Sequence, residues 1–571
     1  MSTVRPYDPE PTYPALGAGV RGGWDALAAE LPGGGVLAVD GPQILDWAAL
    51  VSGLRKAAEQ RGIRVRVLDA RDHMVEWKEV VRRTAPVEEL ADDPDFATLP
   101  GGTLADLFDD VPLHTGGPDS MARDLMLVYG PGASLAGPDA IWYADLPKRY
   151  AESAVAAGRE RNVGQRPDDG PPTTRRLFYI DWPLLDRHRD ALAETVDLWI
   201  DTRDAAFPTS IRGDDLRDSL AALAGGPFRT RPTFNTTSWG GQWAKGTLGF
   251  PSEGRNTALG YELIAPESGI LLGERGRAAV EVPFQLLVAL RPHAVLGEAV
   301  HERFGSSFPI RFDYLDTVGG GSLSVHCHPR DDYMRDVFGW PYTQHETYYM
   351  MVGGEDAVVY LGLREDVDLA EFERLAHAAD DHGLPFDVER FVQTFPAELH
   401  RLFLIPAGTP HGSGKGNVVL EVSATPYLYS LRFYDWLRRD GDGAQRPVHV
   451  SHAFRNLNRR RSGPAVATDL VQQPQVLSRG DGWEEEVLGS LPEMFFEVRR
   501  LRIDAGRAAR QDTDGRFHVL NVVEGDGVVL ETAEGRHPLA YAETIVVPAA
   551  VGPYRVTADD QPARLVKALV R

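Results

Sequence analysis

The sequence predicts a multidomain chain: an N-terminal α/β domain with a parallel sheet, followed by two mainly-β jelly-roll domains, the first carrying a helical insertion. Three observations predict it. Residues 20–210 alternate β-branched runs with helical patterns, the signature of strand–helix–strand units. Residues 230–440 change to short strands broken by Gly and Pro, as in a sandwich or barrel. The last 130 residues or so return to that second texture. With 571 residues the chain is too long for one core. The expected boundaries are 1–213, 214–443 and 444–571, with residues 444–466, which hold the Arg459–Arg461 run and Pro464, as a connector.

In order along the chain, residues 35–40 (GVLAVD) read as a buried strand, 44–62 as a helix and 63–69 as a second strand. Residues 124–129 and 140–144 repeat the strand signal, and the polar stretch 162–172 reads as a loop or lid. In the middle region, residues 368–382 and 387–395 read as helices. Near the end, residues 495–503, 518–524 and 543–548 read as strands.

Composition narrows the function. The formal net charge of −23 argues against a nucleic-acid or anionic-membrane partner. The single cysteine, Cys327, allows no internal disulfide. The first residues lack a signal-peptide core, and no uncharged apolar run is long enough for a membrane helix. The expectation is a soluble cytoplasmic protein, with homo-oligomerisation left open.

The sharpest chemical signal is Gly320-Gly-Ser-Leu-Ser-Val-His326-Cys327-His328-Pro329. On a strand, His326 and His328 share one face and Cys327 takes the other. Leu404-Ile-Pro-Ala-Gly-Thr-Pro-His411 places a third imidazole after a Pro/Gly turn. Between them, His345-Glu346 offers a carboxylate or a fourth imidazole, and adjacent strand residues cannot both point inward. Three imidazoles and a carboxylate suit one divalent first-row metal with an open position.

These motifs resemble the class I mannose-6-phosphate isomerases, zinc enzymes of the cupin superfamily. Leu323-Ser-Val-His-Cys-His-Pro329 is similar to their Leu-Ser-Ile-Gln-Val-His-Pro, and Asp331–Asp332 to the acidic pair that follows. Glu346-Thr-Tyr-Tyr-Met is similar to their Glu-x-Trp-Tyr strand. Pro406-Ala-Gly-Thr-Pro-His-Gly-Ser-Gly-Lys-Gly416 resembles their Pro-Ala-Gly-Thr-x-His turn, and Ser238-Trp-Gly-Gly241 their entry motif. The resemblance covers roughly residues 230–571. It implies metal ligands at His326, His328, Glu346 and His411, an active-site arginine at Arg432 and a pocket carboxylate at Glu421. It also implies substrate contacts from Ser324, Lys415 and Trp239. The implied reaction is an aldose–ketose interchange of a sugar or sugar phosphate, by proton transfer through an enediolate.

Two departures stand out. His326 replaces a Gln, so zinc competes with Mn, Fe or Ni at a nitrogen-rich site. Asp313 stands where the family has a Lys, as a candidate base or hydroxyl-binding residue. Two other readings stay open: a different cupin metalloenzyme (oxygenase or lyase) on a carbohydrate-derived substrate, and a non-catalytic sugar-binding regulator. The C-terminal stretch resembles the family's second cupin domain. It lacks the HxH pair, and no metal is expected there.

At the N-terminal end, the strand–turn–helix at 35–47, residues 67–72, Ala144-Asp-Leu-Pro147 and the lid-like Arg161 and Arg166 resemble uridine-kinase-like P-loop proteins. Gln43-Ile-Leu-Asp46 replaces the phosphate-holding glycines and lysine. A degenerate domain without phosphotransfer is expected. Gly412-Ser-Gly-Lys415 fails the same test, because Thr409 stands where the upstream glycine belongs.

Overall fold

The computed structural model describes residues 5–85, 88–109, 124–426, 428–439 and 443–571. Its first layer is a seven-stranded sheet. In spatial order it runs Arg64–Asp69, Asp124–Tyr129, Gly35–Asp40, Ala140–Asp145, Leu198–Asp201, Thr209–Arg212 and Arg21–Gly22. The first five strands are parallel and the last two antiparallel. The parallel sheet expected here is present, and Gly35–Asp40 lies near its middle, flanked by parallel strands on both sides. The helix Trp47–Gln60 starts where the Asp46 side chain accepts from the Ala49 amide. It buries Trp47, Leu50, Leu54 and Ala58, whose spacing makes one face.

The turn after Gly35–Asp40 is organised by a buried carboxylate. Asp40 accepts from the amides of Gly41 (2.8 Å), Gly132 (3.1 Å) and Ser134 (3.0 Å) and from the Ser134 hydroxyl (2.6 Å). His188 Nε2 lies 2.9 Å from it. The stretch 162–172 is a loop that satisfies itself, with Arg161 donating to the carbonyls of Gly170 and Arg166.

The middle of the chain forms two antiparallel sheets face to face. One runs Leu402–Ile405, Glu346–Val352, Val418–Ala424, Ile310–Asp316, Leu259–Leu263, Thr233–Asn235. The other runs Val392–Pro396, Val358–Leu363, His411–Ser413, Val325–Cys327, Leu431–Tyr434. The helix Leu369–His382 is inserted between two strands of the second sheet. It is capped by Asp368 and closed by Gly383 at φ 64°, a conformation that favours glycine. The helix expected at 387–395 is a correction. Only the short turn Val388–Arg390 is helical, and Val392–Pro396 is a strand paired with Val358–Leu363. Alternation of Val392, Thr394 and Pro396 with Gln393 and Phe395 fits a half-covered edge strand better than a helix face.

The C-terminal residues form a second pair of antiparallel sheets, of six and four strands. The expected strands are present as Phe496–Ile503, His518–Glu524 and Thr544–Val547. A single apolar core runs through all three regions, from Trp199 through Phe284, Phe308 and Tyr314 to Phe517 and Val566. The N-terminal residues join it: Thr12–Tyr13 pairs in parallel with Leu271–Leu272. Among the described residues no helix is long and apolar enough to cross a membrane.

Candidate metal centre and its cavity

The strand Val325–Cys327 brings the HxH motif into the second sheet. His326 is paired across it with His411 on one side and Arg432 on the other. Cys327 points away, into a separate apolar cluster. Glu346 begins the strand Glu346–Val352 of the facing sheet and points toward the imidazoles, while His345 is turned aside, where its Nδ1 accepts from the Ala407 amide (3.2 Å). Strand alternation thus turns Glu346 toward the imidazoles and His345 away from them.

One ligand atom from each of His326, His328, Glu346 and His411 lies within 4.8 Å of the other three, and all four residues are buried. A Glu346 carboxylate oxygen lies 2.7 Å from His328 Nε2 and 2.9 Å from His411 Nε2. The other ring nitrogens face backbone carbonyls: Nδ1 of His326 on Ser324 (3.0 Å), of His328 on Tyr429 (3.2 Å) and of His411 on Thr409 (2.9 Å). A carbonyl only accepts, so each Nδ1 donates, which leaves Nε2 as the ring atom available to a metal. Burial, with His411 and His328 adding to it, holds His326 well below the usual imidazole range. Burial would raise the Glu346 carboxyl, but His411 and His328 outweigh it and hold it well below the carboxylate range. An ionised carboxylate facing imidazole Nε2 atoms is the donor set a divalent metal needs.

The charge balance of the neighbourhood agrees. The strand Ile310–Asp316 alternates, so Arg311 and Asp313 face the site while Phe312 and Tyr314 face the core. Asp313 is paired in register with Glu421 of the next strand. The Arg311 guanidinium donates to the Glu421 carboxylate and to Ser423 Oγ (2.6 Å), and lies 3.6 Å from Asp313. Three buried carboxylates, Asp313, Glu346 and Glu421, therefore share one buried guanidinium. Burial pushes Asp313 up to about 7, against the pull of Arg311, and raises Glu421 well above its usual value. With all three carboxylates ionised, a divalent cation held by Glu346 and three imidazoles would offset their excess of negative charge over Arg311, and the donor set fits one.

His326, His328, Glu346, Arg311, Asp313 and Glu421 line a cavity of about 360 Å³, with the fully buried His411 outside its lining. Arg432, Glu421, Asp313, Ser324 and Trp239 all border it. The Arg432 side chain donates to the Pro447 carbonyl (2.9 Å), and the His326 ring lies 3.4 Å from Ser324 Oγ. Lys415 stands exposed at its turn, outside the lining. Sequence reasoning passed over Arg311, Tyr348 and Gln344, which also border the cavity. For Arg311 the signal was present, as an Arg-x-Asp pair on one strand face. Residues 94–96 and 174–179 form part of the wall as well, from the N-terminal third of the chain. No local pattern announces them.

A family model described as "Domain of unknown function (DUF8485)" matches residues 23–225. Farther along, the chain is 27% identical over 326 residues to the mannose-6-phosphate isomerase of Streptococcus mutans, covering 56% of this chain and 92% of that one. It is 27% identical over 286 residues to "Probable mannose-6-phosphate isomerase GmuF" of Bacillus subtilis, covering 50% of this chain and 81% of that one. Among solved structures, the mannose 6-phosphate isomerase from Bacillus subtilis superposes with a TM-score of 0.48 at 20% identity, covering 60% of this chain and 99% of that one.

Proposed function

We propose that this chain is a metal-dependent isomerase that interconverts an aldose and a ketose, as the free sugar or its phosphate. The observation that carries the reading is the buried His326–His328–Glu346–His411 cluster beside a cavity that Asp313, Glu421, Arg311 and Arg432 also line. The curated relatives, named as mannose-6-phosphate isomerases, support the same reaction class. The four ligands would hold one divalent ion, zinc by resemblance, with Mn, Fe or Ni also suited to three imidazoles; when bound it supplies Lewis-acid polarisation of substrate oxygens.

The chain's own residues do the rest. Asp313 is the proposed base: it borders the cavity and sits near 7, so it can take a proton from one sugar carbon and return it to the neighbouring one. Glu421, held by Arg311 and Ser423, positions that guanidinium beside Asp313. Arg432 and Arg311 provide positive potential for the negative charge of the developing enediolate. Ser324 and Trp239 border the substrate space. Residues 214–443 are the proposed catalytic domain and 444–571 a metal-free support. Residues 1–213 are a degenerate P-loop kinase-like domain without phosphotransfer. The buried Asp40 anion in the turn after the central strand supports that last reading, because a phosphate there would meet negative charge.

The test is proton exchange. Metal-loaded protein should move deuterium from heavy water into one of a panel of aldoses, ketoses and their 6-phosphates. The rate should rise with pH as the base ionises, because it works only when ionised, and D313N should abolish it. Wild-type exchange retained in D313N would remove Asp313 from the role, and oxygen-dependent turnover would replace the isomerase with an oxygenase.

A further inference from the structure

The cavity wall that comes from outside the jelly roll is held with unusual care. Residues 88–99 lie against the helix Val450–Asn456 and its neighbours. Asp93 pairs with His452 (2.6 Å) and Glu89 with Arg455 (2.7 Å). Thr98 Oγ1 donates to the Val337 carbonyl (2.7 Å) and the Leu99 amide to the Phe338 carbonyl (2.9 Å). The Phe96 ring packs against His449 at 4.7 Å and Phe338 at 5.4 Å between centroids. A second N-terminal element braces the first. Arg175 donates to the carbonyls of Phe96 and Leu90, both at 2.6 Å, and Tyr179 reaches across to the Leu428 carbonyl (2.7 Å). Phe178 and Tyr179 lie on the π-helical turn Leu177–Asp181, a widened turn of the kind that recurs at functional sites.

Within this fixed wall one polar group is left over. The Asp95 carboxylate borders the cavity and accepts no hydrogen bond among the described residues. Its one ion-pair partner there is His449 Nε2, at 3.6 Å. His449 Nδ1 in turn accepts from the backbone N–H of Arg432, the residue paired with His326. Asp95 therefore reaches the same strand that carries the active-site arginine, with open acceptor capacity. The neighbouring carboxylate Asp93 is spent on docking; Asp95 is not.

We infer that the N-terminal domain is part of the substrate site, and that Asp95 accepts hydrogen bonds from sugar hydroxyls and so sets which sugar binds. The inference rests on the isomerase reading for the class of ligand. A carboxylate accepting from a hydroxyl forms a charge-assisted bond, and vicinal sugar hydroxyls present two donors to its two oxygens. A sugar differing at the contacted hydroxyl loses that bond, whereas the four metal ligands are indifferent to it.

The experiment is titration calorimetry on the full-length, zinc-loaded protein. The probes are mannitol, glucitol and their 6-phosphates, which carry the hydroxyls but no carbonyl. Wild type is expected to prefer one epimer. D95N should weaken the preferred probe about tenfold or more, by loss of a charge-assisted bond. It should flatten the epimer ratio and leave the thermal midpoint unchanged. D95S, smaller and also uncharged, should behave alike if the amide disturbs His449. Equal weakening of every probe, or affinities matching wild type, would overturn the inference, as would wild type that binds none of the probes. Binding that depends on Asp95 without any proton exchange would instead overturn the isomerase reading and leave Asp95 in place.

Discussion

Replacing Arg311 with methionine tests the electrostatic account of the cavity. The side chain is buried and is the cation shared by Asp313 and Glu421, with Ser423 Oγ as a third partner. Methionine fills a similar volume but leaves both carboxylates in a low-dielectric site without a counter-charge. Breaking a buried pair from one side costs about 3–5 kcal/mol. For a domain of this size that is a fall in unfolding midpoint of roughly 10 °C. The sign of the pH dependence follows from linkage. Asp313 and Glu421 already titrate above their unfolded values, and losing Arg311 raises both further. The unfolded chain is common to both proteins, so the added cost appears only as pH rises through the wild-type folded value, about 7 for Asp313, where the wild-type carboxyl ionises and the variant's does not. Calorimetric melts of wild type, R311M, E421Q and the double variant at pH 5 and pH 8 measure it. The deficit of R311M should be larger at pH 8, and E421Q should recover part of it, by about 1–3 kcal/mol of coupling. A deficit of the same size at both pH values, with no recovery in the double variant, would refute the shared-guanidinium account.

Three other outcomes follow from the same geometry. E346Q removes the anionic ligand that touches two imidazoles, so metal content after desalting, measured by mass spectrometry, should fall from about one ion per chain to a small fraction. Asp145 is pushed up to about 7, chiefly by burial, at the end of a parallel strand. Its ionisation costs stability that is progressively lost as pH rises from about 4 to about 7, so D145N should melt above wild type at pH 8, by up to a few kcal/mol, and match it at pH 4. Burial also pushes the Cys327 thiol up, so a thiol reagent should label nothing in native protein and one site in denaturant, and native labelling would contradict the buried placement.

The clustering of His326, His328 and His411 was legible because strand geometry encodes it locally. Two histidines at i and i+2 must share a face, and a Pro/Gly turn before a third fixes where it enters. Spacing alone left His345 and Glu346 open, and only the resemblance favoured Glu346, since which of them faces inward depends on the register of Glu346–Val352 against Leu402–Ile405 and Val418–Ala424. Arg311 was passed over for a related reason. In Ile310-Arg-Phe-Asp-Tyr-Leu-Asp316 the alternation reads as one apolar and one solvated face, whereas both faces are buried and the polar one closes on a cavity. Buried charge leaves no periodic mark that separates it from exposed charge. The strand Leu198–Asp201 is only four residues long, below what periodicity resolves. The wall at residues 94–96 is the extreme case, an irregular segment whose position is set entirely by long-range pairs such as Asp93–His452.

The strand Ile310–Asp316 explains why three regions of the chain bear on one site. Its cavity face carries Arg311 and Asp313. Its other face carries Tyr314, whose hydroxyl donates to the Ala542 carbonyl (2.8 Å) and accepts from Asn521 (2.6 Å), both in the C-terminal domain. The same domain accepts Arg229, through Glu543 at 2.6 Å, from just ahead of the first jelly roll. A shift of the C-terminal sheets would thus move Tyr314 and, one residue along the strand, Asp313. From the opposite direction, residues 88–99 close the cavity over Arg432 through His449. Support and closure are supplied by different domains to one strand pair, so neither flanking domain needs chemistry of its own to be required for catalysis. What the N-terminal residues contribute to the cavity is a braced wall and the Asp95 carboxylate.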